Sequence, residues 1–343
     1  TKFYGQRHIA FEIVGWDGFI HFYAAVPVTL VDVVKQAIVS AYPSAELEEV
    51  SDHNIFNPVG KINATNGGEL NLKESYAYPI ATYQEIKRDA LQGLLNAMST
   101  LDKEDGAAIQ ILLRPANPEW RKNAISVASS RRKGKKKSSS GGPNFDNVIN
   151  YTAQLATALI KPPTEGDKDK SSKTELSNLE QSEIDAIDDK TRYPGYEVLI
   201  RLIASSNISQ RSQSILNSMT AAFSLFDAPG RNGFVFVPAK DPEVLATNYI
   251  MRFFPQKSTS NILNSVELAT IFHFPDQTNI PTSQLKRQDS KQVDGPRNVP
   301  EEGLLLGYNV FRGVKKPIRI ALSDRQRHMY VVGQTGTGKS TFL

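Results

Sequence analysis

The residues with the clearest capacity for chemistry form a glycine-rich stretch near the end of the 343-residue sequence. The stretch satisfies the phosphate-loop pattern G-x-x-x-x-G-K-[ST] through Gly333, Gln334, Thr335, Gly336, Thr337, Gly338, Lys339 and Ser340, and Thr341 follows. Its glycines let backbone N–H groups converge on phosphate oxygens, while Lys339 would reach the β- and γ-phosphates and Ser340 would ligate Mg²⁺. We therefore predict that residues 333–341 bind a nucleotide with Mg²⁺, and Lys339 is the one catalytic candidate.

A phosphate loop works only between a strand and a helix, and the flanking residues fit that arrangement. The apolar run at residues 329–332 predicts the strand that enters the loop. Residues 341–343 would begin the helix, whose positive N-terminal end also favours phosphate. The alternative is a glycine-rich turn that binds nothing. This alternative gains weight for residues 1–343 taken alone, because we expect half of the nucleotide-binding fold to lie beyond residue 343.

Other chemistries are poorly represented in the sequence. There are no cysteines, which excludes disulfides, thiolate metal sites and a cysteine nucleophile. The five histidines include no H-x-x-x-H pair, and no G-x-S-x-G nucleophile elbow is present. Trp120, beside Arg121 and Lys122, is interpreted as the core anchor of a helix, with stacking on a nucleic-acid base as the alternative.

The formal net charge of +4 is concentrated in one tract. Six lysines and arginines lie within residues 131–137, and serines, glycines and a proline follow them directly. This composition predicts a solvated, disordered loop, while a contact with nucleic acid or anionic lipid is the alternative.

The strand and helix patterns predict an α+β fold. Strands near residues 9–13, 19–26 and 46–50, with a helix after Pro27, form the β-β-α-β opening of a ferredoxin-like sandwich, assigned as a domain at residues 1–80. A capping box at residues 82–85, strands at 107–114, 196–204 and 233–237, and a helix cap at Asp241 predict a second such domain at residues 81–255.

Two further segments complete the predicted organisation. The second domain carries an insertion at about residues 117–192, with an amphipathic helix near 145–160 and a charged linker at 162–189 interpreted as disordered. A helix and a proline-containing linker occupy 256–302, and short strands resume at 303–343 as the start of an α/β nucleotide-binding domain. The sequence begins at Thr1 and stops just after the phosphate loop, so we expect a piece of a longer protein.

Residues 303–343 resemble the start of the ATPase domain of the HerA/FtsK superfamily, which includes bacterial type IV secretion and conjugation ATPases. The resemblance rests on Leu306-Gly307, the strand at 318–322, Asp324-Arg325, Arg327-His328 and the phosphate loop. Residues 266–275 are similar to a helix that precedes the ATPase in secretion-type members, and residues 11–50 to their N-terminal regions.

The resemblance implies a membrane-associated hexameric motor that binds ATP and Mg²⁺ and drives translocation of DNA, or of protein with DNA. It implies a location at the cytoplasmic face of the bacterial inner membrane, in contact with secretion machinery, although no apolar stretch here is long enough to span a bilayer. We expect the Walker B acid, sensor and arginine finger beyond Leu343, and residues 1–343 alone to be soluble and inactive.

Three alternatives to this motor stay open at the level of sequence. The first is a secretion ATPase that powers channel or pilus assembly without contacting DNA. The second is a protein-interaction module, comprising residues 1–255, in a chain that binds no nucleotide. The third is an ABC-type ATPase, although in that class the phosphate loop usually lies nearer the start of the domain.

Overall fold

The structure is a computed structural model, and it describes residues 7–43, 45–50, 54–56, 64–87, 89–133, 177–256, 261–275, 294–296, 298–311, 314–327, 330 and 332. The chain divides into two compact units. The first unit comprises Thr1–Val31 and Asp52–Arg287, and the second comprises Asp32–Ser51 and Gln288–Leu343. The predicted boundaries at residues 80, 255 and 302 stay predictions.

The first unit is a mixed α/β structure built on one large antiparallel sheet. Seven strands form it: β1 Ile9–Trp16, β2 Phe19–Ala25, β3 Ala64–Leu72, β4 Gly106–Pro115, β5 Gly195–Ser206, β6 Phe234–Pro238 and β7 Ile262–Asn264. Their order is β2-β1-β4-β5-β3-β6, and β7 pairs with β5 beside this path. Strands from before and after residue 80 therefore share one sheet.

Helices of the first unit pack on both faces of this sheet. They are α2 Tyr83–Ile86, α3 Ala90–Met98, α4 Glu119–Arg132, α5 Asn178–Thr191, α6 Ser209–Ala222, α7 Pro242–Ile250 and α8 Ser265–Ile271, and a 3-10 turn, Phe223–Phe226, extends α6. Successive strand residues point to opposite faces, so Ile13 joins the main core with α3 and α6, while Val14 packs against Leu245 and Tyr249 of α7.

Several local predictions are confirmed by the structure. The strands predicted at 107–114, 196–204 and 233–237 correspond to β4, β5 and β6. Asp241 caps α7, because its carboxylate accepts hydrogen bonds from the backbone N–H groups of Glu243 (2.9 Å) and Val244 (3.3 Å). Short-range capping signals of this kind depend on neighbouring residues only, which is why the sequence reveals them.

The helix predicted after the capping box is interrupted. The box itself is present, since the Thr82 N–H donates to Glu85 Oε2 at 2.8 Å. However, α2 ends at Ile86 because Lys87 adopts a left-handed conformation with φ of 53°. A new helix, α3, then begins behind Asp89, whose carboxylate accepts from the Leu91 N–H at 2.9 Å.

One predicted strand, and part of one segment predicted to be disordered, differ from the structure. Residues 46–50 form no strand, and Leu47 and Val50 are 41% and 51% exposed rather than packed in a sheet. The end of the linker predicted as disordered at 162–189 is helical, from Asn178 to Thr191, where Ser177 and Glu180 form a capping box and Ile184 is buried; residues 162–176 lie outside the described residues. The many charged residues of α5 are typical of a disordered segment, so composition alone does not reveal the buried apolar face of this helix. The predicted helix at 145–160 lies outside the described residues.

The second unit contains α1 (Val31–Ala41, all but its first residue) and a two-stranded hairpin. Strands β8, Leu304–Phe311, and β9, Val314–Ile320, pair antiparallel with an irregularity between Leu305 and Gly307. A 3-10 turn, Asp324–Gln326, follows. The strand predicted at residues 318–322 is thus confirmed only as far as Ile320, the last residue of β9. Across the described ranges, no helix combines the length and apolar character needed to cross a bilayer.

Candidate functional site

The predicted phosphate loop, residues 333–341 including Lys339 and the Mg²⁺ ligand Ser340, lies outside the described residues. Of the strand predicted to enter it, Tyr330 and Val332 are described; neither is in a strand, and they are 91% and 77% exposed. The approach residues Asp324 and Arg325 lie in the 3-10 turn that follows β9. The nucleotide site therefore stays a prediction from the sequence.

Trp120 has the structural role predicted for it. Its side chain is 5% exposed and packs in a cluster with Ala124 of its own helix and with Ile184 and Ile187 of α5. A Cβ at Gly195 would lie 2.4 Å from the indole Cε2, so β5 approaches the ring too closely for any other residue there. The indole therefore anchors α4 to the sheet.

The start of the basic tract is also structural. Arg131 and Arg132 belong to α4, and both pair with acids of α5. Arg131 Nη2 lies 2.9 Å from Glu183 Oε2, its side chain being 12% exposed, while Arg132 pairs with Asp188. The prediction of a solvated loop is wrong for these two arginines, and residues 134–137 lie outside the described part of the chain.

The described residues contain a polar cavity of about 200 Å³, which we name the Lys190 cleft. It lies within the first unit, between the segment that leads into α2, the C-terminal end of α5, Arg231 and the N-terminal end of α8. Its apolar wall includes Pro79, Ile80 and Val266. The cleft is smaller than the roughly 300–1,000 Å³ typical of sites for drug-sized ligands.

The floor of the cleft is a fully buried ion pair between Lys190 and Glu267, whose side chains are 0% and 1% exposed. The Lys190 Nζ lies 3.1 Å from both carboxylate oxygens and donates to the Ile262 carbonyl at 2.9 Å. The Glu267 carboxylate also accepts from the backbone N–H groups of Ile80 (2.9 Å) and Asn264 (2.8 Å). Each charge is thus paired and hydrogen-bonded, as burial requires.

Burial lowers the pKa of Lys190, because desolvation penalises the ammonium form more than the charge and hydrogen bond of Glu267 favour it. The amine has no solvent-exposed surface, so it is placed to support the cleft rather than to attack a ligand. Its contact with Glu267 ties the end of α5 to the beginning of α8.

Asn232 positions the wall that faces this floor. Its amide is 1% exposed, and Nδ2 donates to the carbonyls of Ser75 (3.0 Å) and Tyr78 (3.2 Å) while Oδ1 accepts from the Glu74 N–H (3.0 Å). Its backbone N–H donates to the Pro79 carbonyl at 2.7 Å. One side chain therefore holds the segment before α2 in place, immediately next to Arg231.

Arg231 lies at the side of the cleft, and its side chain is 17% exposed. Nε donates to Glu85 Oε1 at 2.6 Å and Nη1 donates to the Gly230 carbonyl at 3.2 Å. These two bonds fix the plane of the guanidinium. The outer part of the cleft carries Arg192, 74% exposed, at the C-terminal end of α5.

A second polar cluster of the first unit lies in register on four strands of the sheet. Glu12, Gln110, Arg201 and Glu69 occupy consecutive paired positions on β1, β4, β5 and β3. Arg201 is 1% exposed and donates to Glu69 (3.2 Å) and Gln110 (3.1 Å), as well as to the carbonyls of Asn248 (3.3 Å) and Phe253 (2.6 Å). This row fastens α7 and the residues after it to the sheet.

Sequence reasoning missed both clusters. For the polar cluster on the four strands, the sequence offers one signal: a single polar residue within an otherwise apolar strand, such as Gln110 or Arg201. No comparable signal marks Lys190, because its partner Glu267 is 77 positions away along the chain. Within the described part of the chain, no group of three or more His, Cys, Asp or Glu side chains is arranged to hold a metal ion.

Comparison with known proteins identifies one family. No curated protein matches the sequence. A family model described as a domain of unknown function, DUF8128, matches residues 5–287. The match and the first compact unit both end at residue 287, before the hairpin and the phosphate-loop motif. The chain belongs to the DUF8128 family.

Proposed function

We propose that the protein is an ATP-driven motor of the HerA/FtsK type, in which the DUF8128 domain is the non-catalytic N-terminal part. The observation that carries the proposal is the complete phosphate-loop motif at residues 333–340, preceded by an apolar run and followed by Thr341. ATP and Mg²⁺ would be its cofactors, with Lys339 on the β- and γ-phosphates and Ser340 on the metal.

The separation of the family domain from the motif supports this division of labour. The DUF8128 match ends at residue 287, and the motif begins 46 positions later, in the range of the second compact unit. Nucleotide chemistry and the family domain would therefore occupy different parts of the chain. A first unit without a role in hydrolysis is free to bind partners or to organise assembly.

We further propose that β3-α3-β4 and β5-α6-β6 form a ferredoxin-like unit. Two facts of the topology support it: β5 lies between β3 and β4, and β3 lies between β5 and β6. Each β-α-β unit is thus split by the first strand of the other, which is the arrangement of a β-α-β-β-α-β sandwich. The α4–α5 helix pair is then an insertion between its second and third strands.

The remaining parts of the proposal follow the resemblance of residues 303–343. The working form would be a homohexamer at the cytoplasmic face of a bacterial membrane, in contact with secretion machinery, and its substrate would be DNA or protein with DNA. The principal alternative is an ATPase that drives secretion-channel assembly without contacting DNA. Stimulation of ATP turnover by DNA distinguishes the two.

The test is ATP turnover by the full-length protein, with and without DNA. Lys339→Ala should abolish turnover while the far-ultraviolet circular dichroism stays unchanged, because the proposed role of the lysine is to contact phosphate. Lys315→Ala, which removes an exposed lysine 4.1 Å from the Tyr308 ring, serves as the matched control and should turn over normally. Unchanged turnover in Lys339→Ala would refute the site.

A further inference from the structure

We propose that the Lys190 cleft of the DUF8128 domain binds a small carboxylate, with Arg231 as the residue that recognises it. This site lies wholly in the first unit and is independent of the proposed nucleotide site. The argument rests on which hydrogen-bonding groups of the cleft are already satisfied and which are not.

Two of the three acids that line the cleft, Glu267 and Glu85, already accept hydrogen bonds on both carboxylate oxygens. Glu267 is saturated by Lys190, the Ile80 N–H and the Asn264 N–H. In Glu85, Oε1 accepts from Arg231 and Oε2 from the Thr82 N–H at 2.8 Å. These two carboxylates therefore offer little to a donor group of a ligand, whereas Asp189, 62% exposed, keeps acceptor capacity at the outer part of the cleft.

Donor groups, by contrast, remain available. Arg231 uses Nε and Nη1, and its Nη2 donates to no residue in the described ranges. Tyr193 and Gln84 also line the cleft, and neither side chain forms a hydrogen bond within the described ranges. Arg192 spends one of its nitrogens on Asp189, at 3.2 Å. Arg231, which is held in place, therefore has Nη2 N–H groups available for an oxyanion.

The formal charge and the volume of the cleft favour a small carboxylate over other oxyanions. Three cations (Lys190, Arg192, Arg231) and three acids (Glu85, Asp189, Glu267) line the cleft, so its formal charge is zero. A phosphate dianion would be repelled by three nearby carboxylates, whereas a single negative charge meets the planar edge of one guanidinium. The volume of about 200 Å³ leaves room for a short aliphatic chain, and Val266, which is partly exposed, is the apolar residue of the lining that would contact it.

The anchoring of the guanidinium makes Arg231 suited to this task. Glu85 and the Gly230 carbonyl hold it in one orientation, so little side-chain entropy is lost when a ligand binds. The buried Lys190–Glu267 pair and Asn232 hold the surrounding backbone in place. The site is therefore formed before the ligand arrives.

The experiment is a titration of the whole chain, selectively ¹⁵N-labelled at arginine, with butyrate and with inorganic phosphate. All samples carry Lys339→Ala, so that the phosphate loop contributes no anion binding. Butyrate should shift the Arg231 Nε–H resonance in a saturable manner, and phosphate should shift it more weakly. Arg231→Gln should weaken butyrate binding by roughly tenfold or more, the loss of one charge-assisted hydrogen bond; binding to this variant is followed at the Nε–H resonance of Arg192, which also lines the cleft.

The matched control is Arg211→Gln. Arg211 is also held by acids, with Nη2 3.0 Å from Asp105, but it does not line the cleft. It should bind butyrate as the parent does. The proposal is overturned if the shift grows linearly without saturation, if Arg231→Gln and Arg211→Gln bind butyrate equally, or if phosphate binds more tightly than butyrate at the Arg231 resonance.

Discussion

Lys190 and Glu267 form an ion pair from which water is excluded, with 3.1 Å between Nζ and each carboxylate oxygen. The pair joins the last turn of α5 to the first turn of α8, and the same carboxylate caps α8 through the Asn264 N–H. Because charged groups buried in this way are stable only together, removing one partner is far more disruptive than removing both.

Lys190→Met is expected to lower the free energy of unfolding of the first unit by about 3–5 kcal/mol, since Glu267 then stays buried without its countercharge. In the double variant Lys190→Met with Glu267→Gln, the neutral amide still has an oxygen to accept from Ile80, so a part of this loss should be recovered. The measurement is urea unfolding followed by tryptophan fluorescence, because both tryptophans, Trp16 and Trp120, belong to the first unit. A double variant that is no more stable than Lys190→Met would contradict the pairing.

Arg201→Lys tests the polar row across the sheet. Lysine keeps the charge but has only three N–H donors, all on one atom, so at least one of the four acceptors of Arg201 is left without its donor: Glu69, Gln110, Asn248 or Phe253. We expect a loss of about 1–3 kcal/mol in the same unfolding assay, the cost of one unsatisfied buried polar group. Arg192→Lys, at a site 74% exposed, should change stability by less than about 0.5 kcal/mol.

His8 should make the stability of the first unit depend on pH. Its Nε2 lies 2.8 Å from the Arg252 carbonyl, to which it donates when the ring is neutral. Burial lowers the pKa of His8 below 6.5, and the charges of Arg114 and Arg201 lower it further, against the effect of the hydrogen bond to Arg252. Between that lowered pKa and 6.5 the unfolded chain binds more protons, so stability is full above pH 6.5 and falls as the pH decreases through this window.

His8→Gln isolates the effect, because glutamine keeps an N–H donor for the Arg252 carbonyl but does not titrate. The unfolding free energy of the parent minus that of the variant should be constant above pH 6.5. Below pH 6.5 this difference should decrease, because only the parent carries the titrating His8. A difference that is independent of pH from 7 down to the lowered pKa would show that His8 does not carry this dependence.

The parts of the fold visible in the sequence are those set by near neighbours. The apolar runs of β4 and β5 and the cap at Asp241 each depend on a few consecutive residues, and their predicted positions agree with the structure. The break between α2 and α3 was not visible, because Lys87 is not a residue type that marks a left-handed position.

The candidate site depends on distant pairings, which no local pattern encodes. In the sequence, Lys190 is one of several charged residues in the segment that forms α5. Only the folded chain brings it into contact with Glu267 and Ile262. Arg231 likewise follows a turn at Gly230 and meets Glu85 from 146 positions away. The phosphate loop is the reverse case, since its chemistry is contained in eight consecutive residues and was readable before any fold was known.

The two arginines that open the basic tract should differ sharply in their contribution to stability. Arg131 is 12% exposed and bonds Glu183 at 2.9 Å, whereas Arg132 is 46% exposed in its pair with Asp188. Arg131→Ala is expected to lower the unfolding free energy by about 2–4 kcal/mol, since the buried Glu183 then loses its ion pair with Arg131. Arg132→Ala should cost less than about 1 kcal/mol. Neutralising Lys135, Lys136 and Lys137 is therefore the sound test for DNA binding in a gel-shift assay, because a loss of binding in Arg131→Ala would also follow from unfolding. Equal destabilisation by Arg131→Ala and Arg132→Ala would show that α4 and α5 do not depend on the buried pair.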